Sequence, residues 1–237
     1  LLYGYGSYGI SISPSFSVSR LSLIDRGMVY AIAHIRGGME KGKKWYENGK
    51  KKNKLNSFRD FIACAEFLKK ENISKNITIH GGSAGGLLIG ASLNISPDTF
   101  HCAVAEVPFV DVLNTILDDS LPLTPPEWEE WGNPIKNKSD FDYIRSYSPY
   151  DNIKEQNYPA ILATSGLTDP RVTYWEATKW IAKLRSKKTN DNPLFLKTYT
   201  EAGHGGMAGR YNQIKETAFI YAFILWRNNL IKRSFTR

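Results

Sequence analysis

The residues best placed to do chemistry are the run His80-Gly81-Gly82-Ser83-Ala84-Gly85-Gly86. Gly81 to Gly85 spell G-x-S-x-G, between a short apolar run at Ile77–His80 and an apolar helical pattern at Gly85–Leu93. A serine that attacks a carbonyl must stand clear of its sheet on a very tight turn. That turn forces unusual backbone angles on the serine, and its neighbours must be tiny for strand and helix to pack closely. The helix that starts behind Ser83 also aims its first N–H groups at the oxyanion as it develops. A glycine-rich turn holding serine by chance is the competing reading, and the strand–turn–helix setting favours the nucleophile.

A serine of this kind needs a base, and the base needs an orienting acid. Where the nucleophile sits on such a turn, the chain order is Ser, then Asp or Glu, then His. Of four histidines, only His101 and His204 follow Ser83. His101 leads into the next strand and reads as structural. His204 lies in Glu201-Ala202-Gly203-His204-Gly205-Gly206, between the last strand and the last helix, with glycines that let a loop carry the imidazole to the serine. The acid should leave the loop after the preceding strand, and Asp169 in Gly166-Leu167-Thr168-Asp169-Pro170-Arg171 fits. Asp111 and Asp151 are rivals, but the first follows the strand directly after the nucleophile unit and the second lies in an irregular stretch.

The elements that must position these groups alternate along the chain. Leu1–Tyr3, Met28–His34, Ile77–His80, Ala103–Val107, Ala160–Ser165 and Leu194–Tyr199 read as strands. Helical spacing is predicted over Ser57–Glu71, Gly85–Leu93, Thr173–Ser186 and from Tyr211 to Leu225. Such alternation implies a mostly parallel sheet with helices on both faces. From Asp111 to Pro149 the pattern breaks into Pro-, Trp- and acid-rich sequence, read as a cap-like insertion (about 111–150) beside the strand ends, where such folds bind ligands.

The length of 237 residues suits one domain, residues 1–237, with one core. The net charge is +8, and much of the excess lies in Lys41–Lys54, KGKKWYENGKKKNK. A solvated loop and a nucleic-acid patch are the two readings of that run. It is broken by glycines and accompanied by no nucleic-acid motif, so no nucleic-acid partner is expected. Cys64 and Cys102 form no metal-ligand cluster, so neither a metal nor another cofactor is expected, and so few thiols fit a reducing, cytoplasmic compartment. No apolar run is long enough to span a bilayer. The chain opens at Leu1 directly on a strand-like stretch, as a piece of a longer protein would.

These residues, together with Leu2-Tyr3-Gly4-Tyr5-Gly6-Ser7-Tyr8-Gly9, closely resemble the prolyl oligopeptidase family of serine peptidases, and within it the oligopeptidase B branch. The similar segments are LLYGYGSYGIS, AIAHIRGGMEKGKKWYENGK, GGSAGGLL, VPFVDVL, PLTPPEWEEWGNP, SYSPYDN, TSGLTDPRVTYWEATKW and EAGHGG, in the family's order over essentially the whole chain. The resemblance implies the α/β-hydrolase fold, no cofactor, and a triad at Ser83, Asp169 and His204. It implies that the Tyr5 hydroxyl and the Ala84 N–H form the oxyanion hole; taken alone, Tyr5 reads first as a packed aromatic after a strand.

The resemblance also implies that Glu127 and Glu129 select Arg and Lys on the acyl side of the cleaved bond. The chemistry agrees if Pro125-Pro126 leads an extended segment in, because residues two apart then point the same way and two carboxylates can meet one cation. An acidic surface loop is the alternative, with Asp118, Asp119 and Glu130 close by. Phe109 matches an aromatic wall of that pocket and Arg171 a contact to the substrate backbone; Arg171 alone also reads as a salt-bridging surface residue. The expected partners are short basic peptides and an N-terminal β-propeller domain that screens them. No blade-like repeat occurs in this chain, and the family's strands before Leu1 are absent from it. A prolyl-specific peptidase, a carboxylesterase of the same fold and a non-catalytic binding module are the competing readings.

Overall fold

The computed structural model describes residues 1–231. Its elements, in chain order, are β1 (Leu2–Tyr3), α1 (Val18–Ile24), β2 (Ala31–Ile32), α2 (Lys43–Glu47), α3 (Leu55–Lys70), β3 (Thr78–Gly82), α4 (Ala84–Ile95) and β4 (Cys102–Glu106). There follow α5 (Val112–Leu117), α6 (Thr124–Trp131), α7 (Lys138–Tyr147), β5 (Ala160–Gly166), α8 (Tyr174–Lys187), β6 (Leu194–Tyr199) and α9 (Arg210–Arg227). The strands form one six-stranded sheet in the order β2-β1-β3-β4-β5-β6, and every pairing is parallel. This is the parallel sheet expected from the alternation of strands and helices, in the α/β-hydrolase arrangement that the family resemblance implies.

Length suggests a single core, but the period of two along the strands points alternate side chains to opposite faces of the sheet and builds two. Ala103, Ala105, Ile161 and Ala163 belong to the larger one, with Phe58, Phe61 and Ile62 of α3, Leu87 and Leu88 of α4, and Trp180 and Leu184 of α8. Their strand neighbours Cys102, Val104, Ala160 and Leu162 face the other side, against Leu23 of α1 and Ile220, Phe223 and Ile224 of α9. Strands buried on both faces read as continuous apolar runs, which is why Ala160–Ser165 stood out.

The strand expected over Met28–His34 is shorter as a regular element. Its pairing with β1 runs from Leu1 N to Val29 O (2.7 Å) to Ala33 N to Tyr3 O (2.8 Å). Beyond it the backbone turns toward α3, where Asp60 accepts from the Arg36 amide at 3.0 Å and pairs with its guanidinium. Helices α1 and α2 were not anticipated, since neither shows a buried apolar stripe at helical spacing. The irregular stretch after β4 folds as α5, α6 and α7 over the carboxyl ends of the strands.

The basic run is only partly a solvated surface. Lys51 meets Glu129 and Lys52 meets Asp140, while Lys54 is 1% exposed and enters the core. Of the described residues, no helix is long and apolar enough to cross a membrane.

Candidate active site

Ser83 caps the amino end of α4 at the carboxyl end of β3, with φ 55° and ψ −121°, a backbone region that side chains rarely adopt. Its amide donates to Glu106 O at 2.8 Å, which ties the turn to β4. Glycine is required on both flanks. A Cβ at Gly81 would stand 2.5 Å from Gly85 O, and one at Gly86 would stand 2.4 Å from Pro108 Cα. The strained turn is thus held between strand, helix and the loop after β4, and it presents the serine hydroxyl beyond the sheet.

His204 and Asp169 reach this hydroxyl from separate loops. His204 Nε2 lies 3.1 Å from Ser83 Oγ, and Nδ1 lies 2.7 Å from Asp169 Oδ2. The other carboxylate oxygen of Asp169 accepts from the amides of Arg171 (2.8 Å) and Val172 (3.1 Å). Burial alone would push the Asp169 carboxyl up, but the bonds from His204 and these amides outweigh it and hold the group below the usual carboxylate range. An ionised Asp169 accepts from Nδ1–H, so Nε2 is left as the acceptor for the serine proton. The two loops are joined directly: Thr168 donates through its amide (3.2 Å) and its hydroxyl (3.0 Å) to Ala202 O. Glu216 of α9 accepts from the Met207 amide at 2.8 Å and steadies the far side of the histidine loop.

Two of the rival residues have other partners. His101 Nε2 meets Arg227 O at 2.7 Å, and the buried Asp111 carboxylate pairs with Lys179.

A cavity of about 540 Å³ opens beside Ser83 and His204. Tyr5, Tyr8, Ala84, Phe109, Glu127 and Arg171 all contribute to its lining. The Tyr5 side chain approaches the Ser83 hydroxyl. Burial pushes its phenol up to about 12 despite that contact, so it is a neutral O–H donor at physiological pH. Ala84 begins α4, and its amide is one of the first-turn N–H groups that no residue within the helix can accept. Phe109 is 5% exposed and packs on Trp131 with ring centroids 5.4 Å apart. Arg171 is exposed at the rim.

The extended geometry expected for Glu127 and Glu129 is not what forms. Pro125 and Pro126 fall in the first turn of α6, where a missing N–H costs nothing and a fixed φ favours the helix, so they start a helix instead of an extended lead-in. Two residues on a helix are about 200° apart around its axis. Glu127 therefore faces the cavity, while the Glu129 side chain, 87% exposed, points away and meets Lys51 at 3.0 Å.

Sequence reading missed Tyr8, whose hydroxyl donates to Glu127 Oε2 at 3.1 Å. Trp131 Nε1 donates to the same oxygen at 2.8 Å. The repeated Tyr in Tyr5-Gly6-Ser7-Tyr8 was the available signal. Glu176, fully buried in the cavity wall, was missed too. Burial pushes its carboxyl up to about 7, although the amides of Val110 and Asp111 and the Thr115 hydroxyl all donate to it.

Comparison with known proteins shows the family of the chain. The model described as Prolyl oligopeptidase family, of the S9 peptidases, matches residues 14–229. "Protease 2" of Moraxella lacunata is 51% identical over 227 residues, 95% of this chain and 33% of that protein. Oligopeptidase B from Leishmania major superposes with a TM-score of 0.95 at 51% identity, covering 100% of this chain and 33% of that one. Oligopeptidase B from Trypanosoma brucei, solved with covalently bound antipain, also gives 0.95, at 52% identity over 98% of this chain and 33% of that one. The chain thus spans about a third of the length of the relatives it matches.

Proposed function

Because the chain belongs to the prolyl oligopeptidase family of serine peptidases, we propose that it hydrolyses short peptides after Arg or Lys through an acyl-enzyme formed on Ser83. The observation that carries this reading is the hydrogen-bonded relay Asp169–His204–Ser83 opening on a cavity with the Glu127 carboxylate in its wall.

The geometry supports the following course. His204 Nε2 takes the proton from Ser83 Oγ as that oxygen attacks the peptide carbonyl, and the buried Asp169 stabilises the imidazolium. The Tyr5 hydroxyl and the Ala84 amide donate to the oxyanion. His204 then protonates the departing amine. In the second half-reaction it activates a water that hydrolyses the ester and frees Ser83. Glu127 receives the substrate's guanidinium or ammonium while Phe109 packs on its apolar stem. Arg171, at the rim, binds the substrate backbone beyond the cleaved residue. Glu129, on the outer side of α6, is not assigned to the cation pocket in this geometry. In the intact protein the family's β-propeller domain restricts access to short peptides.

The test is turnover by the intact protein of three chromogenic substrates: one ending in Arg, one in Pro and one short-chain ester. Arg should be preferred. A Pro preference would identify a prolyl peptidase, and ester cleavage alone would identify an esterase. Tyr5→Phe should slow acylation by about 10- to 1000-fold, the range for losing one oxyanion donor, with little change in ground-state binding. An unchanged acylation rate in single-turnover kinetics would leave Tyr5 as packing only.

A further inference from the structure

The oxyanion donor proposed above sits on a segment with little stiffness of its own. Tyr5 lies between Gly4 and Gly6, and Gly6 has φ 71°. A donor aimed at charge that develops in a transition state must be held within a fraction of an ångström, so something else has to fix this loop.

Lys54 is the group in place to do so. It lies at the end of the basic run, yet it is fully buried, and its ammonium donates to Gly6 O at 2.6 Å and to Ser7 Oγ at 2.7 Å. The same nitrogen lies 5.0 Å from the centroid of the Trp131 ring. Burial pushes the amine down to about 8, against the opposing charge of Glu130. Glu130, 3% exposed on α6, grips the next residue: Oε1 accepts from the Tyr8 amide at 2.9 Å and Oε2 from the Tyr46 hydroxyl at 2.6 Å. The loop is therefore held by a cation on a carbonyl and a hydroxyl, then by a carboxylate on an amide. Lys54 is not among the residues lining the substrate cavity, and no step of the reaction uses it.

We propose that Lys54 is a positioning residue that fixes the Tyr5 hydroxyl at the oxyanion site through its bonds to Gly6 and Ser7. The proposal rests on Tyr5 being an oxyanion donor. A buried cation is a poor way merely to fill a core, because an apolar side chain of equal volume does so without the cost of desolvating a charge. Its particular contribution is direction: two charge-assisted bonds to adjacent residues orient the preceding peptide, which methionine cannot do.

The test is a double-mutant cycle in the intact protein, read by single-turnover acylation. Lys54→Met should slow acylation by about 10- to 100-fold, as displacement of a catalytic group by about an ångström does, while the substrate dissociation constant changes less than about twofold. In a Tyr5→Phe background the same substitution should cost almost nothing more, because the donor it positions is gone. If the two losses multiply, Lys54 acts only through general stability and the proposal is overturned. If Tyr5→Phe alone leaves acylation unchanged, the oxyanion reading itself fails and takes this proposal with it. Should Lys54→Met not fold, Ser7→Ala removes one acceptor and keeps the ammonium. It should slow acylation by about 3- to 10-fold, consistent with losing one hydrogen bond, and only when Tyr5 is present. No loss, or a loss that persists in Tyr5→Phe, would overturn the proposal.

Discussion

Ser83→Ala should lower peptidase kcat by about a millionfold, the usual cost of removing the nucleophile from a triad that acts as a unit. The fold should be unaffected. Alanine keeps the Cβ, so the strained backbone at φ 55° is neither relieved nor worsened, and the lost hydroxyl is half-exposed with His204 as its partner. A melting temperature within a few degrees of the parent is the expected companion result, since about 0.5 kcal/mol is typical where no packing is lost. A fluorophosphonate probe should modify the parent at Ser83 and leave the alanine variant unlabelled. Retained labelling would place the nucleophile elsewhere. Retained hydrolysis without labelling would mean that the reaction does not pass through a serine ester.

Why this turn could be found without coordinates is a matter of local constraint. The demands on a nucleophile turn are steric and act within a few residues, so they leave a compact trace. The clashes that a Cβ at Gly81 or Gly86 would meet show what that trace records. His204 and Asp169 were legible for a related reason: parallel topology allows only the loops after late strands to reach the serine, and few histidines and acids lie there. The strands of the sheet interior were legible because burial on both faces leaves unbroken apolar runs.

What escaped was whatever depends on long-range contact. Lys54 looks like one lysine among several until α6 closes over it and Trp131 covers its amine. Tyr8 acquires its role only because α6 brings Glu127 to its hydroxyl. The Glu127/Glu129 pair was misjudged through a local ambiguity. Two prolines are compatible both with an extended segment and with the first turn of a helix, and the neighbouring residues decide between them. Here Trp128 and Trp131, three apart, bury on the side of α6 that packs against α5 and the site loop, which rewards the helix.

That geometry sharpens the expectation for specificity. Glu127→Gln should reduce kcat/KM for Arg-ended substrates by about 100- to 1000-fold, the range for leaving a desolvated cation without its partner. Both fixed donors, Tyr8 and Trp131, land on Oε2, so Oε1 is left to meet the substrate cation. Glutamine retains an amide oxygen that can accept from the same two groups. The substitution therefore removes charge while keeping the shape of the wall, and turnover of neutral substrates should fall far less. A half-buried carboxylate facing a neutral side chain also lacks compensation, so the preference for Arg over neutral substrates should narrow in the variant. Glu129→Gln should change the same ratio by less than about threefold, because an exposed, solvent-screened carboxylate paired to Lys51 contributes little to a cavity it does not enter. Parallel kinetics of the two single variants decide the matter. Equal losses would mean that α6 unwinds on binding and brings both carboxylates to one cation. If neither variant lost Arg preference, the selecting acid would lie elsewhere on the cavity wall, with Glu176 the next to substitute.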